Sequence, residues 1–308
     1  MAGASWLFCS PSAGYRDIDE EADTGAGGGS VPWGAGAAMV EAAGAEVSAA
    51  SGVELREVEE PEEVGSIEGE MDKDKDLNEL VARLKQAAGS NLSAVVLYGS
   101  AVDQDFQEHS DLNVLCLLHR LEGAVLESLR PVGVWWSHKG HPPPLVLTLA
   151  ELRNSADVFS IELLDMKARH RMLEGADFLA ELQVPMAQHK LQVERELRVN
   201  VIRLRQSYLR IAGRRSELAE LLIASASSFG TLFRHVLIAL GQEAPSSARE
   251  GADRLAKLFA VSAAPFHLVL DLREGKSAGG EMNLEAVFAP YLDLVTRVAE
   301  EIDRRLQS

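Results

Sequence analysis

Apolar residues recur along the chain with two different spacings, and the change between them divides the sequence into two parts. Between residues 76 and 180, short apolar runs alternate with amphipathic stretches, which indicates strands alternating with helices. From about residue 186 onward, apolar residues recur every three or four positions, as in amphipathic helices. The pattern therefore predicts an α/β (α+β) domain followed by an all-α bundle of four or five helices.

The first part begins with the clearest helical signal. Leu77, Leu80, Val81 and Leu84 follow the i, i+3, i+4, i+7 spacing, and Gly89 supplies a stop signal. Further elements are expected from runs of alternating character downstream. They are strands at 93–98, 112–118 and 145–148, helices at 120–130 and near 150–156, and a fourth strand at 158–164.

The second part shows three apolar stripes that amphipathic helices would bury against one another. The stripes consist of Leu197, Val201, Leu204, Tyr208 and Ile211; of Leu222, Ser225, Phe229, Leu232 and Phe233; and of Leu284, Val287, Phe288, Tyr291, Val295, Val298 and Ile302.

The first seventy residues differ in composition from the rest. The chain has 308 residues and a net charge of −17, but residues 1–70 alone carry 15 acidic and two basic residues. They also contain 12 of the 25 glycines, so we expect a disordered tail with too little apolar surface to fold. The sequence therefore predicts three parts, which are a disordered tail at 1–70, an α/β domain at 71–180 and a helical bundle at 181–308. A start of translation at Met71 is one hypothesis for the tail.

Composition also bears on location and partners. Two cysteines provide no disulfide framework, and we see neither a secretory signal nor a run of 18 apolar residues. We therefore expect a cytoplasmic protein that does not enter a membrane. The body after residue 70 is mildly acidic and lacks an aromatic-rich RNA-binding signature, which disfavours a nucleic-acid substrate.

The strongest chemical signal is a pair of apolar strands with polar residues where they meet. The first strand runs into Gly99 and Ser100, and the second opens with Asp111 and Asn113. Side chains two apart on a strand point to the same side, so Asp111 and Asn113 would present their oxygens together. Turn amides and a hydroxyl can hold phosphates, and the two oxygens can hold a divalent metal.

This Gly-Ser turn, its spacer and the Asp-x-Asn pair between apolar strands resemble the signature of the nucleotidyltransferase superfamily (DNA polymerase beta-like fold). The resemblance covers roughly residues 75–305 and is nearest to small bacterial nucleotidyltransferase domain-containing proteins, in which the catalytic domain precedes a helical bundle. It implies transfer of a nucleoside monophosphate from a nucleoside triphosphate (NTP) to a small-molecule or protein acceptor, with Mg²⁺ or Mn²⁺ as cofactor. The family has a carboxylate where this chain has Asn113, so the resemblance favours an enzyme of attenuated activity.

The resemblance implies three metal-binding carboxylates, two on the Asp-x-Asp strand and one on a neighbouring strand. Asp111 matches the first position and Asn113 occupies the second. For the third we predict Glu162, the acid that interrupts the apolar run at 158–164. Asp165 is the alternative, but on a strand it would point to the other side. The predicted metal site is thus Asp111, Asn113 and Glu162, with Gly99 and Ser100 at the phosphates.

Each of these features also has a simpler interpretation. Gly-Ser is a common turn, and His109 and Ser110 are more simply turn-capping residues than phosphate ligands. His138 and His141 are more simply loop residues than metal ligands. The arginines at 195–215 are more simply a solvated face with local ion pairs than a triphosphate clamp.

Two functions from different classes stay open. The first is the nucleotidyl transfer implied by the resemblance, with an NTP and an unidentified acceptor as partners. The second is a non-catalytic nucleotide-binding or antitoxin-like interaction module on the same fold. The bundle could in either case mediate a homodimer.

Overall fold

A four-stranded sheet forms the centre of the first domain. Its strands are β1 (Leu92–Tyr98), β2 (Asn113–Leu118), β3 (Leu145–Thr148) and β4 (His170–Gly175), in the order β3-β2-β1-β4. Strand β1 is antiparallel to β2 and β4, whereas β2 and β3 are parallel. The computed structural model describes residues 64–102, 111–211, 213–276 and 283–306.

Helices cover both faces of this sheet. They are α1 (Val64–Ala88), α2 (Gly123–His138), α3 (Leu149–Asn154) and α4 (Ser160–Ala168). Apolar residues of α1 and α2 pack in one cluster with alternate strand residues, and those of α3 and α4 pack in another. Because successive strand residues point to opposite faces, the apolar residues of β1 from Ala94 to Tyr98 contribute alternately to both clusters.

In the part of the second domain that the structure describes there are five helices, within the four or five that the sequence pattern predicts. They are α5 (Met186–Arg210), α6 (Arg215–Ala239), α7 (Ala248–Phe259), α8 (Ala264–Arg273) and α9 (Leu284–Leu306). Helix α6 lies at the centre, where Phe233 packs against Phe266 and Phe229 packs against Tyr291. The α/β (α+β) domain followed by a helical bundle is therefore confirmed.

Helix α6 is both long and apolar. Among the described residues it is one helix whose length and composition would suit a membrane span, with a mean hydropathy of 1.5 over an 18-residue window. In the structure 56% of that window is buried inside the protein. A central bundle helix has the same composition, so this test adds only weak evidence for a span.

Most predicted elements of the first domain are confirmed, but one is wrong. The segment predicted as a strand at 158–164 contains the start of helix α4 instead. A short apolar run cannot distinguish a buried strand from a buried helix, because both lack a polar face. The fourth strand is β4, whose half-buried residues gave no clear alternation.

The predicted tail falls largely outside the described residues. Residues 1–63 lie outside them, so disorder there stays a prediction, as does a start at Met71. Residues 64–70, which the composition assigned to the tail, form the first turns of α1. The domain boundary near residue 180 also stays a prediction.

Candidate functional site

The turn after β1 depends on a left-handed glycine. Gly99 has a φ of +85°, a conformation that costs other residues about 1–2 kcal/mol. Its amide donates to the carbonyl of Arg169 at 3.3 Å, and its carbonyl accepts from Val102 at 3.2 Å. Ser100 therefore begins a short 3-10 helix, Ser100–Val102, directly after the end of β1.

The start of β2 lies against this turn. Asn113 pairs with Tyr98 in the register of β1 and β2. A Cβ atom built on Gly99 would lie 3.6 Å from Nδ2 of Asn113, so the amide side chain is beside the turn. Asp111, two residues earlier, is exposed and Asn113 is half-buried. The structure thus brings the glycine turn and Asn113 together, with an accessible carboxylate close by in the chain.

Residues 103–110 lie outside the described residues, and the predictions for His109 and Ser110 fall there.

We predicted that Glu162 lies on a strand beside the Asp111 strand, and that prediction of a strand is wrong. Glu162 is in the first turn of α4, where its carboxylate accepts a hydrogen bond from Gln192 of α5 at 3.1 Å. Burial raises the pKa of this carboxyl, and the hydrogen bond from Gln192 opposes the rise. The strand that pairs with β2 on its outer side is β3, whose four residues Leu145–Thr148 include no acid.

The side-chain oxygens near the turn suit a metal ion that the protein holds only in part. Among the described residues, no three His, Cys, Asp or Glu side chains are grouped so as to hold a metal ion. Mg²⁺ is, however, commonly bound by one or two protein oxygens together with substrate phosphates and water. Asp111 and Asn113 supply oxygen donors of that kind. They fit a cation that arrives with a nucleotide, not a metal cage made by the protein alone.

His141 has an environment that the sequence did not indicate. It precedes β3, and its ring packs at a tilt of 39° against that of the buried Trp136, with 4.5 Å between centroids. Burial lowers the pKa of His141, while the charges of Asp76 and Asp111 raise it. His138 is exposed. Both histidines lie at the junction of α2 with β3.

Sequence reasoning missed a buried polar cluster between α4 and α5. Ser160, which begins α4, donates to Oε1 of Gln192 at 2.6 Å, and that oxygen also accepts from the amide of Ile161. Because the Ser160 hydroxyl has one proton, Nδ1 of His189, 2.9 Å away, must be the donor to Ser160. Burial and the neighbouring His235 lower the pKa of His189 to about 4. Periodicity gives no signal for such a cluster, because its members come from distant segments.

Asp165, the alternative third carboxylate, belongs to a second interdomain contact. Arg234 donates to one of its oxygens at 2.5 Å, and His235 contacts the other at 2.8 Å. Glu162 and Asp165 are three residues apart on a helix, so both point toward the bundle. Both Glu162 and Asp165 are therefore in a helix, and neither lies on a strand beside Asp111.

Two arginines of α5 form the local ion pairs that the simpler interpretation predicted, and one of the two also contacts an acid of α9. Arg198 contacts Glu194 at 2.9 Å and Asp303 at 2.7 Å, and Arg195 contacts Glu196 at 2.8 Å. These pairs lie at the surface, where each contributes little to stability.

Comparisons with known proteins found similarity among solved structures. No protein-family model matches the chain, and no curated protein matches it. One solved structure that matches is that of spectinomycin adenyltransferase AAD(9) from Enterococcus faecialis with ATP and spectinomycin. The TM-score is 0.43 at 12% identity, over 73% of this chain and 98% of that chain.

Proposed function

We propose that this protein is a nucleotidyltransferase-superfamily member that binds an NTP at the β1–β2 junction and transfers its nucleoside monophosphate to a small-molecule or protein acceptor. The observation that supports the proposal is the left-handed Gly99 turn lying beside Asn113, with the Asp111 carboxylate two residues away. A turn amide and a hydroxyl next to an acid and an amide oxygen form a suitable environment for a triphosphate and its cation.

Each residue then has a defined part. The left-handed turn at Gly99 would present the backbone amide and the hydroxyl of Ser100 to phosphate oxygens, because the amide of Gly99 already donates to the carbonyl of Arg169. Asp111 and Asn113 would hold Mg²⁺ or Mn²⁺ carried by the nucleotide. When bound, the cation would neutralise the charge that develops on the phosphates. The protein's own contribution is to orient the triphosphate, which is the main requirement in phosphoryl-type transfers.

Asn113 sets the expected level of activity. An amide oxygen can ligate a hard cation, but it lacks the charge of a carboxylate. Two unit charges about 4 Å apart interact by about 4 kcal/mol at an effective dielectric of about 20, and a divalent ion doubles this. Even with partial compensation, the substitution is expected to slow transfer by several powers of ten.

A specific observation favours a second function. Strand β3, the outer neighbour of β2, offers no carboxylate, and Glu162 faces α5 instead. A site with one carboxylate and one amide can bind a nucleotide without turning it over. The alternative is therefore a non-catalytic nucleotide-binding or antitoxin-like module.

The test combines binding with transfer in the full-length chain. Calorimetric titration with ATP, with and without Mg²⁺, is compared for the wild type, Asp111→Asn and Asn113→Asp. Each α-labelled NTP is then incubated with the protein and an extract that supplies acceptors. Asp293→Asn is the matched control, because Asp293 is an exposed acid on α9.

We expect tighter binding with Mg²⁺ in the wild type, loss of that gain in Asp111→Asn and a larger gain in Asn113→Asp. Label transfer that depends on Asp111 supports an enzyme. Magnesium-dependent binding without transfer by the wild type or Asn113→Asp supports the non-catalytic module. Binding that is absent, or unchanged by Asp111→Asn, contradicts both uses of this site.

A further inference from the structure

A single residue joins helix α4 to strand β4. Helix α4 ends at Ala168 and β4 begins at His170, so the connection between them is Arg169. The backbone of Arg169 is extended, with φ −138° and ψ 91°, and it turns the chain directly from helix to strand. We refer to residues 165–170 as the α4–β4 corner. Because the connection is so short, a movement of α4 must also move the carbonyl of Arg169.

The α4–β4 corner contacts the glycine turn on one side. The carbonyl of Arg169 accepts from the amide of Gly99 at 3.3 Å. The next residue, His170, pairs with Tyr98 in the register of β1 and β4. Gly99 has a φ of +85° and no side chain to restrict its backbone, so contacts of this kind set the orientation of the turn. The corner thus holds the residue that directly precedes Ser100.

The α4–β4 corner contacts the helical bundle on its other side. The backbone carbonyl of Asp165 accepts from the amide of Arg169 at 3.0 Å. The carboxylate of Asp165 accepts from Arg234 at 2.5 Å and from His235 at 2.8 Å, and His235 is fully buried. Hydrogen bonds and backbone therefore connect helix α6 to the Gly99 turn through the side chain of Asp165.

We propose that Asp165 is a positioning residue for the nucleotide site, an inference that rests on the proposed function. Arg234 and His235 hold the carboxylate of Asp165, which fixes the α4–β4 corner against the bundle. The corner in turn fixes the backbone that presents the amide and the hydroxyl of Ser100 to a phosphate. Asp165 thereby serves the site by orienting the turn, without contact with the cation.

The first measurement follows the Gly99 amide in the full-length chain without nucleotide. Tyr98 and Gly99 form the one Tyr-Gly pair in the sequence, so ¹³C-carbonyl tyrosine with ¹⁵N-glycine selects this amide in a carbonyl-to-amide NMR correlation. The rate of hydrogen exchange of the amide reports how often its bond to Arg169 opens. We expect Asp165→Asn to raise this rate by at least about fivefold.

Ser225→Ala is the control for a general loss of stability, because it removes the partner of Tyr291 inside the bundle. It should lower the free energy of unfolding about as much as Asp165→Asn does, and leave the exchange rate at Gly99 within about twofold of the wild type. His235→Leu should act like Asp165→Asn. His235→Gln keeps a side-chain N–H for Asp165 and should restore most of the protection.

The second measurement is the affinity for ATP in the presence of Mg²⁺, by calorimetric titration. We expect Asp165→Asn and His235→Leu to weaken binding by at least about fivefold. Ser225→Ala and His235→Gln should weaken it by less than about twofold. The comparison of the two His235 variants separates the loss of the hydrogen bond from the loss of the ring.

Faster exchange at Gly99 together with weaker ATP binding, in Asp165→Asn and not in Ser225→Ala, supports the positioning role. Unchanged exchange at Gly99, or equal changes in these two variants, overturns the role and leaves the proposed function intact. Faster exchange with unchanged ATP affinity also overturns it, because the site would then bind nucleotide without help from the corner. A wild type that binds no ATP contradicts the proposed function and this role with it, even where exchange at Gly99 responds as expected.

Discussion

Nε2 of His235 on helix α6 donates to Oδ1 of Asp165 on helix α4 at 2.8 Å, and this hydrogen bond is among those that join the bundle to the α/β domain. Arg234 contacts the other oxygen of Asp165. Burial alone would raise the pKa of Asp165, but the hydrogen bond from His235 and the charges of His235, Arg234 and Arg169 outweigh it and lower the pKa. The carboxylate is therefore stabilised in its charged form.

Asp165→Asn is expected to destabilise the protein at neutral pH by about 2 kcal/mol. This is less than the usual cost of breaking a buried pair, because the amide can still accept a hydrogen bond. A lowered folded-state pKa contributes stability above the unfolded pKa of about 3.9 and loses it as the pH falls through the folded value. The difference between wild type and variant should thus shrink below about pH 4. Urea denaturation at several pH values measures it.

The control for this prediction is Asp293→Asn on α9, which is expected to have almost no effect at any pH because its side chain is exposed. Equal losses in the two variants would mean that general charge, and not the contact with His235, is responsible.

Glu162→Gln is expected to change the free energy of unfolding at pH 7 by less than about 1 kcal/mol, because glutamine can also accept from Gln192. A raised pKa means that the folded state disfavours the charged carboxyl, so the wild type loses stability relative to the variant as the pH rises above about 4.3. Denaturation between pH 4 and about 7 measures this difference. We expect no change in the Mg²⁺ dependence of ATP binding, and a clear change would restore Glu162 as a metal ligand.

Gly99→Ala is expected to destabilise the protein by about 1–2 kcal/mol and to weaken ATP binding, because alanine disfavours a φ of +85°. The new Cβ would meet Asn113 at an ordinary contact distance, so the cost comes from the backbone. Gly133→Ala, in helix α2 with open space around it, should stabilise by about 0.5–1 kcal/mol. Thermal and urea denaturation should show opposite signs for the two glycines, and a shared sign would contradict this account.

Ser225→Ala is expected to cost more stability than Tyr291→Phe. Ser225 donates to the carbonyl of Leu222 at 2.8 Å, so the hydroxyl of Tyr291, 3.0 Å away, must donate to Ser225. Removing the serine oxygen leaves a buried tyrosine hydroxyl without its acceptor, at about 1–3 kcal/mol, whereas removing the tyrosine hydroxyl costs about 1 kcal/mol. Urea denaturation of the two single variants decides the order, and the reverse order would mean that the donor is assigned wrongly.

Local patterns were a good guide wherever one residue's environment depends on its near neighbours. The helix at 76–88 lies within α1, and the strands at 93–98, 112–118 and 145–148 are present. The turn at Gly99 could also be predicted, since a glycine at the end of an apolar strand suits a left-handed conformation. The segment at 158–164 could not be assigned correctly, because its apolar run suits a buried helix as well as a buried strand.

The sequence by itself determined the α/β-then-helical order, and it favoured the closeness of Gly99 to Asn113 because apolar strands that follow each other in the chain usually pair as neighbours. Only the tertiary structure decided what Glu162 and Asp165 face. Their partners on α5 and α6 are distant in the chain, and the packing of α4 on the bundle sets those contacts. The exposure of Leu191, Ile202 and Leu209 on α5 likewise became visible only in the packed structure, because periodicity does not show which apolar residues a neighbouring element covers.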